Sequence, residues 1–554
     1  MSANSAPATK SVEPSARVPI EMRRVPGVRR LAADYSTDFA ALSPFFSGNP
    51  SDRRAWADAV ARTQAHHRPH AEMAAVVGAQ QRRRGAPPAA IDAATRLADS
   101  HTVAVVTGQQ AGLFGGPLYT LLKALTAIRL AERTAREHDV PAVAVFWVEA
   151  EDHDWDEIRS CTVFDAELTP RSVSLPARTG TPPTPAAAVT LDASVEDALT
   201  ELTRTLPETE FRADLIDQLR TVYQPGTGMA DAFARWLERV LGPRGLVVYD
   251  ASDPAAKPLA RGVFTRELAT AGQTTALASA AGAALAGLGY HAQVQPQADS
   301  VGLFDLSDGR RPIRRGGDQF LIGDDSIESA ALLERAETRP TGFSPNVLLR
   351  PIVQDTLFPT VCYVAGPNEL AYLGQLRGVY EHFSVPMPLM FPRATATLLD
   401  SAAVRFLGRY QVPLEALQPQ DDSRLNDLLQ AQIPGEVETS FGDARTTIDA
   451  ALTRVSSALK TVDPTLEGAA QSTLGRMQHD LDTLHGKLIQ AAKRRDDTLR
   501  RQFARTRALA FPGGDAQERA IGFISFLNQY GPALIERLDD ELPLDLGHHW
   551  IVTI

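Results

Sequence analysis

The chain of 554 residues is longer than one hydrophobic core usually organises, which predicts two to four folding units. Hydrophobic residues make up 44% of it, yet no apolar run reaches the roughly 18–20 residues that span a bilayer, so no membrane is expected. The formal charge of −11 argues against a nucleic-acid partner, because nucleic-acid surfaces are basic. Small molecules and other subunits are the expected partners.

The beginning of the chain is polar. Residues 1–20 lack the apolar stretch of a secretory signal and predict a flexible leader. Residues from about 34 to 100 have helical spacing and few strand signals. The two cysteines, Cys161 and Cys362, can form neither a disulfide framework nor a cysteine-based zinc site, so we expect a reducing cytoplasm and no zinc.

Two strand–loop–helix units follow. "TVAVVTG", from Thr102, precedes a glycine-rich turn and a long helical pattern, and Val143–Val148 is an apolar run suited to a buried parallel strand. Such alternation predicts a doubly wound α/β core over residues 21–397. The irregular loop "LPARTGTPPTPAAAV" opens a predicted insertion at about 166–240, and short strands with turns mark a second at about 255–345.

Residues 398–508 are predicted to form a helical hairpin, after which 509–554 returns to the core. Two apolar series repeat at alternating intervals of four and three, which is the 3.5-residue period of a coiled coil. They are Ile448, Leu452, Val455, Leu459, Val462 and, after Asp463-Pro464, Leu474, Met477, Leu481, Leu484, Leu488. A globular helical bundle can use the same pattern and stays open as an alternative.

The glycine-rich turn is the first candidate site. Gly108, Gly112, Gly115 and Gly116 lie between a buried strand and a helix, where backbone N–H groups can converge on an anion. Gln109, Gln110 and Lys123 can add polar contacts. A tight, closely packed turn explains the glycines equally well.

The second candidate is the acidic segment "EAEDHDWDE", which starts at Glu149 after the second strand. Carboxylates at the carboxyl end of a parallel strand can orient an amine or hydroxyl nucleophile, or hold magnesium through oxygen ligands. His153 can carry a proton or bind a metal. The alternative is an acidic first helical turn, which the helix dipole favours.

The third candidate follows another predicted strand. Gly366-Pro367-Asn368-Glu369 opens a helix, and Tyr372 shares the helical face of Glu369. Arg350 can bind a carboxylate or phosphate with two hydrogen bonds, although an internal ion pair would use it as well.

These segments carry a family resemblance. The chain resembles the bacillithiol-biosynthesis cysteine ligase family from about residue 20 to its end, through blocks in collinear order. The blocks are "TGQQAGLFGGPLYTLLKA", "FWVEAEDHDWDEI", "GLVVYDASDP", "NVLLRPIVQDTLFPTVCYVAGPNELAYLGQL", "MPLMFPRATATLL" and "FPGGDAQERAIGFISFLNQYG".

The resemblance implies a Rossmann-like core of the class I aminoacyl-tRNA synthetase type, with connecting-peptide insertions and a coiled coil that forms a homodimer. It implies a cytoplasmic ligase that joins L-cysteine to glucosaminyl-malate, with ATP or ADP as the expected nucleotide. The His-x-Gly-His signature of those synthetases is absent, and "GGPLYTLLK" stands in its place.

On this basis each candidate residue receives an expected role. The candidate catalytic residues are Gln109, Gln110, Asp152, His153, Asp154 and Glu369, with His153 or Asp154 deprotonating the attacking amine. The candidate binding residues are Thr107, Gly108, Gly112, Gly115, Gly116, Tyr119, Lys123, Arg350, Asn368 and Tyr372. A second nucleotide site is expected at Arg393, Arg519 and Tyr530.

Two rival functions stay open. One is a nucleotidyltransferase-like enzyme that activates another acid, and the other is a non-catalytic scaffold that senses nucleotide and recruits partners through its coiled coil.

Overall fold

The computed structural model describes residues 17–178, 184–432, 435–495 and 497–554. They divide into two compact units. The first unit combines the described residues up to Leu398 with Asp515–Ile554, and the second is Leu399–Gly514. Among the described residues, no helix has both the length and the apolar character needed to cross a membrane.

A five-stranded parallel sheet forms the centre of the first unit. Its strands, in chain order, are β1 (Val103–Gln110), β2 (Ala142–Glu149), β3 (Val247–Asp250), β4 (Thr360–Ala365) and β5 (Leu389–Pro392). The spatial order β5-β4-β1-β2-β3 is the doubly wound Rossmann order and reverses between β1 and β4. The predicted α/β core is confirmed, and the burial of the strands accounts for their continuous apolar runs.

Helices surround this sheet. Helix α1 (Leu118–His138) connects β1 to β2 and packs against both strands. Helix α2 (Arg350–Leu357) precedes β4, and the short helix α3 (Glu369–Leu373) follows it. The predicted helical region before β1 is confirmed as four helices, at Arg30–Thr37, Arg53–Ala65, His70–Arg84 and Pro88–Arg96, and one further helix, Arg377–Phe383, precedes β5.

The first insertion lies between β2 and β3. It contains an antiparallel strand pair, Ser160–Phe164 with Pro170–Ser174, and the helices Trp155–Ile158, Ser194–Thr205, Arg212–Val222 and Met229–Leu241. Residues 179–183, in the predicted irregular loop, lie outside the described residues.

The second insertion lies between β3 and β4 and contains an antiparallel sheet. The spatial order of its strands is Asp325–Glu328, Gln319–Ile322, Arg311–Gly316, Ser300–Asp305 and Phe343–Pro345. This insertion also contains the helices Arg261–Ala269, Gln273–Gly287 and Ser329–Thr338.

A third sheet contains residues from near both ends of the chain. Its strand order is Arg17–Glu21, His548–Thr553, Ala396–Leu399, and the first two strands are antiparallel. The predicted flexible leader is therefore wrong for residues 17–20, because backbone pairing with the C-terminal strand orders them; residues 1–16 lie outside the described residues.

Side chains of the returning C-terminal segment attach it to the strand Ala396–Leu399, and Glu518 Oε2 accepts from the Ala396 N–H at 3.1 Å. The amide of Gln517 donates to the Leu398 carbonyl and accepts from its N–H, both at 2.8 Å. The helices Gln517–Ala520, Phe523–Tyr530 and Ala533–Glu541 follow.

The second unit is helical. Helices α4 (Gly435–Lys460) and α5 (Glu467–Arg495) form an antiparallel hairpin, joined through the predicted break at Asp463-Pro464. His485 Nε2 lies 2.9 Å from Glu438 Oε1, and Arg445 pairs with Asp482. Because α4 has no fully buried side chain, the hairpin is a coiled coil rather than part of a globular bundle. The unit's other helices are Ser401–Tyr410, Ser423–Gln430 and Asp497–Ala510.

The predicted apolar seam divides into two sets. Ile448, Leu452, Leu459, Leu474, Leu481 and Leu488 are half-buried. Val455, Val462, Met477 and Leu484 are 41–81% exposed. We call these last four the exposed hairpin residues.

Candidate functional site

The three predicted candidate segments lie at one edge of the parallel sheet. β1 ends at Gln110, β2 at Glu149 and β4 at Ala365, and parallel strands place their carboxyl ends together. The strand order reverses between β1 and β4, and open α/β sheets bind ligands at this kind of position.

Gln110 connects the glycine-rich turn to the acidic segment. Its Nε2 donates to Asp152 Oδ2 at 2.7 Å and to Glu157 Oε2 at 2.8 Å. The first and second candidate segments therefore border the same space beyond the strand ends.

Lys123 connects β1 to the segment after β4. Its ammonium lies 2.8 Å from the Gly108 carbonyl, 3.2 Å from Gln109 Oε1 and 2.8 Å from Glu369 Oε2. Burial lowers the pKa of Lys123, and the Glu369 carboxylate acts in the opposite direction. Glu369 also accepts a hydrogen bond from the Gly366 N–H, so this ion pair spans the place where the strand order reverses.

Arg350, at the start of α2, is held by the side chains around it. It donates to Tyr372 Oη at 3.2 Å and to Gln354 Oε1 at 3.0 Å, and its guanidinium lies 5.7 Å from the centre of the Tyr363 ring. Its Nε is 3.7 Å from Glu149 Oε2. The internal ion pair that the sequence left open as an alternative role for Arg350 is therefore present.

Glu149 is the most perturbed carboxyl group of the site. Burial raises its pKa to about 7, although the neighbouring Arg350 acts to lower it. Trp147 Nε1 donates to its Oε2 at 3.1 Å, and a fifth of the side chain is exposed. Sequence reasoning placed Glu149 in the acidic segment but not among the candidate catalytic residues; its position as the last residue of a buried strand was the available signal.

The glycine-rich turn is a packed turn, which corrects the expected anion cradle. The N–H groups of Gly112, Gly115 and Gly116 donate within the turn, to Gln110, Gly112 and Leu113. The Leu118 N–H at the start of α1 donates to the Ile521 carbonyl at 2.8 Å. These four donors are therefore already used by the protein.

Two of the candidate binding residues, Gly115 in this turn and Thr107 in β1, are held by contacts within the protein. Gly115 has φ +97°, and a Cβ there would overlap the rings of Phe523 and Trp236. Thr107 is buried and donates its hydroxyl to the Val364 carbonyl at 2.9 Å, so its role is to join β1 to β4.

Replacing Gly115 by alanine is expected to lower the free energy of unfolding by about 2–5 kcal/mol. The methyl group adds overpacking, about 1–3 kcal/mol, to the strain of a left-handed residue, about 1–2 kcal/mol. The matched control is Gly226→Ala, at φ +88° with no atom within 4 Å of the added Cβ, which carries only the strain. Urea unfolding checks both variants, and equal losses would contradict the packing explanation.

The remaining candidates have different surroundings. Asp154 Oδ1 accepts from the Glu157 N–H at 3.1 Å and so caps the short helix Trp155–Ile158. Asn368 borders a cavity of about 330 Å³ together with Arg29 and Arg30.

Tyr119 lies among arginines. Its hydroxyl accepts from Gln109 Nε2 at 3.0 Å, and the guanidinium groups of Arg393 and Arg519 lie 5.5 and 5.7 Å from its ring centre. Arg393 is buried and forms two hydrogen bonds to Glu518, at 2.6 and 2.9 Å, so its charge is already paired. Arg519 is exposed.

Tyr530 is the last residue of the helix Phe523–Tyr530 and is half-buried. Asn528, in the same turn, donates to the Pro207 carbonyl at 3.1 Å. This end of the helix therefore contacts the first insertion.

Two basic residues at the site escaped sequence reasoning. Lys257 forms a buried ion pair with Glu151 beside a cavity of about 610 Å³. Arg310, from the second insertion, has Nη1 3.1 Å from His153 Nδ1. Both come from segments distant in sequence, and no local motif marks them.

The described carboxylates of the site are paired with other side chains rather than gathered around a metal position. In the part of the chain that the structure describes, no three or more His, Cys, Asp or Glu side chains are grouped so that they could hold a metal ion. The acidic segment instead pairs its carboxylates with Gln110, Lys257 and Arg310.

The strand order, the polar edge of the sheet and the helical hairpin together define a Rossmann-like α/β protein with a coiled-coil domain. Residues 18–394 match the N-terminal Rossmann-like domain of the bacillithiol biosynthesis protein BshC, and residues 396–554 match its C-terminal coiled-coil domain. The chain belongs to the BshC family, which confirms the resemblance found in the sequence.

Individual relatives match over nearly the whole chain. A protein from Salinibacter ruber is 35% identical over 539 residues, which cover 95% of this chain and 96% of the relative. One from Koribacter versatilis is 32% identical over 525 residues, covering 94% and 97%. Both carry the name "Putative cysteine ligase BshC".

Proposed function

We propose that this protein is a cysteine ligase that joins L-cysteine to the glucosamine amine of glucosaminyl-malate, with ATP supplying the activation. The names of its relatives support the reaction type and the amino acid. The observation that carries the proposal is the Lys123–Glu369 pair, which joins the ends of β1 and β4 where the strand order reverses. A ligand bound at this edge is adjacent to the acidic segment through Gln110.

The reaction forms a bond between the amine nitrogen and the carboxyl carbon of cysteine, while one carboxyl oxygen leaves with a phosphoryl group from ATP. Arg350 and Lys123 are the cations beside the strand ends that suit these anionic groups. ATP supplies the leaving group, and the protein positions the reactants and receives the proton.

Glu149 is the proton acceptor in this proposal. A carboxyl group with a pKa near 7 is ionised at slightly alkaline pH and remains basic enough to take a proton from an amine in the transition state. No protein-held metal is part of the proposal, because the described carboxylates are not grouped for one.

The protein is also proposed to be a cytoplasmic homodimer that associates through the α4–α5 hairpin. Both cysteines are buried free thiols, as in a reducing compartment. The exposed hairpin residues are apolar and recur seven residues apart in each half of the hairpin, with Val462 in the turn just after α4, which suits a contact with a second copy.

Replacing Val455 and Leu484 together by serine is expected to convert the dimer to monomer at micromolar concentration, because each change removes apolar area from the proposed contact. Sedimentation velocity gives the mass of the particle. The matched control is Leu288→Ser with Val347→Ser, which changes two comparably exposed apolar residues of the first unit and should leave the dimer intact. A monomeric wild-type protein would contradict the dimer.

The ligase proposal is tested by incubating the purified chain with ATP, L-cysteine and glucosaminyl-malate. Mass spectrometry should detect the amide-linked thiol product, and chromatography should detect AMP or ADP that appears only when all three are present. Nucleotide breakdown that depends on another acid would favour the nucleotidyltransferase rival. No nucleotide breakdown and no product would overturn the proposal.

A further inference from the structure

Arg310 occupies a fixed position beside His153. Its side chain is 8% exposed and its guanidinium lies 3.8 Å from the centre of the Phe304 ring. Nη2 donates to the Pro345 carbonyl at 3.2 Å, and Nε lies 3.5 Å from Ser344 Oγ. The second insertion thus holds the guanidinium from several sides.

Nη1 of this guanidinium is 3.1 Å from His153 Nδ1. A guanidinium can only donate hydrogen bonds and keeps its charge at any ordinary pH, so Nδ1 must be the acceptor. An imidazole with an unprotonated Nδ1 carries its single N–H at Nε2.

Asp152 is a second ionisable group beside the ring. Its Oδ1 lies 3.7 Å from His153 Nδ1 and accepts the backbone N–H of His153 at 2.8 Å. The same oxygen is 3.8 Å from Arg310 Nη1, and Oδ2 accepts from Gln110. A hydrogen on Nδ1 would point at the hydrogens of Nη1, so this carboxylate pairs with Arg310 and Gln110 rather than with an imidazolium.

We propose that Arg310 is a positioning residue that holds His153 as the neutral Nε2–H tautomer, so that His153 donates a hydrogen bond to a reactant oxygen and does not deprotonate the amine. The mechanistic part of this inference rests on the proposed ligase function. His153 Nε2 forms no hydrogen bond with a described residue, and 38% of the side chain is exposed. A fixed donor at an oxygen that gains negative charge accelerates acyl transfer, and losing one costs about 10²–10³ in rate.

This inference differs from the expectation that His153 or Asp154 deprotonates the amine. The lone pair on Nδ1 is used by Arg310, and Nε2 has no lone pair to accept a proton in this tautomer. The proton of the amine goes instead to a carboxylate, and Glu149 is the one proposed above.

The tautomer is tested first without any assay of activity. NMR spectra of the full chain labelled with ¹⁵N-histidine report whether each ring nitrogen carries a hydrogen, and the His153→Gln variant assigns the signal. We expect an unprotonated Nδ1 and a protonated Nε2 at pH 7.5. Arg310→Met should change this pattern, whereas Arg314→Met, in the neighbouring strand, should not. A hydrogen on Nδ1 in the wild-type protein overturns the inference even if the ligase function is correct.

Kinetics then separate donor from base. If His153 donates, glutamine in its place keeps an N–H and should retain at least tenfold more kcat than leucine. Arg310→Met should lower kcat by about 10–10³-fold with a smaller change in KM, because it disturbs the donor and not substrate binding. Equal activities of His153→Gln and His153→Leu would overturn the donor role. If the wild-type protein makes no product, the proposed function fails and the NMR result still decides the tautomer.

Discussion

Replacing Glu149 by glutamine is expected to lower kcat/KM for amide formation by about 10²–10⁴-fold, the range for loss of a positioned proton acceptor. Wild-type activity should rise with pH through about 7, because only the ionised carboxylate accepts a proton and burial raises the pKa of Glu149 to about 7. The residual activity of the variant should lack this rise. Steady-state rates between pH 5.5 and 9 measure both effects.

The same substitution is expected to stabilise the fold at high pH. The pKa of Glu149 is higher in the folded protein than in the unfolded chain, so folding favours the protonated form, and stability falls as pH rises from about 4.5 to 7. A glutamine avoids this loss, which amounts to roughly 3 kcal/mol above pH 7. Urea unfolding should therefore show that the free energy of unfolding of the variant, relative to that of the wild type, increases between pH 5 and pH 8.

The matched control is Asp156→Asn, which neutralises an exposed carboxylate of the same acidic segment that pairs with Arg159. It should change neither the pH profile nor the stability by much, because exposed ion pairs contribute about 0–1 kcal/mol. If Glu149→Gln keeps full activity at pH 8, another group takes the proton.

Replacing Arg393 by methionine is expected to lower the free energy of unfolding by about 3–5 kcal/mol, because the buried Glu518 carboxylate loses its partner. Both side chains are less than a tenth exposed. Burial alone would raise the pKa of Glu518, but Arg393 holds it below its usual value. The stability from this pair is therefore present above pH 4–5 and is lost as pH falls through the lowered pKa. Urea unfolding at pH 7 and pH 3.5 measures the difference.

Two further variants make this result interpretable. Arg171→Met breaks an exposed pair with Asp165 and should cost less than about 1 kcal/mol. The double variant Arg393→Met with Glu518→Leu should recover much of the loss, since it leaves no buried charge behind. A loss at Arg393 no larger than at Arg171 would show that the buried pair contributes nothing net.

The sequence predicted the features that local patterns encode. Each of these features depends on residues that are close together in the chain. They are the apolar runs of β1 and β2, the helix after Gly366-Pro367 and the heptads around Asp463-Pro464. Parallel strands place their carboxyl ends at the same edge of a sheet, and so the meeting of the three candidate segments at one edge could be expected.

What the sequence could not give are contacts between distant segments. The glycine-rich turn looked like an anion cradle until Phe523, about 400 residues later, accounted for the space at Gly115. Likewise, Arg310 lies beside the acceptor nitrogen of His153, and Arg350 lies beside Glu149. The members of each pair are far apart in the sequence, and no periodic pattern connects them. Residues 17–20 also looked like leader, because their partner strand is at the other end of the chain.

The amide of Gln517 forms hydrogen bonds with both backbone groups of Leu398. The residue that precedes the second unit is therefore joined directly to the segment that follows it. The second unit, Leu399–Gly514, thus begins and ends within a few residues of these two hydrogen bonds. A register shift or an added helical turn within the second unit changes the length of that unit but leaves this attachment in place. The strands that carry the reactive groups then keep their positions. The length of the second unit can therefore vary, in evolution or by design, without a change in the candidate site.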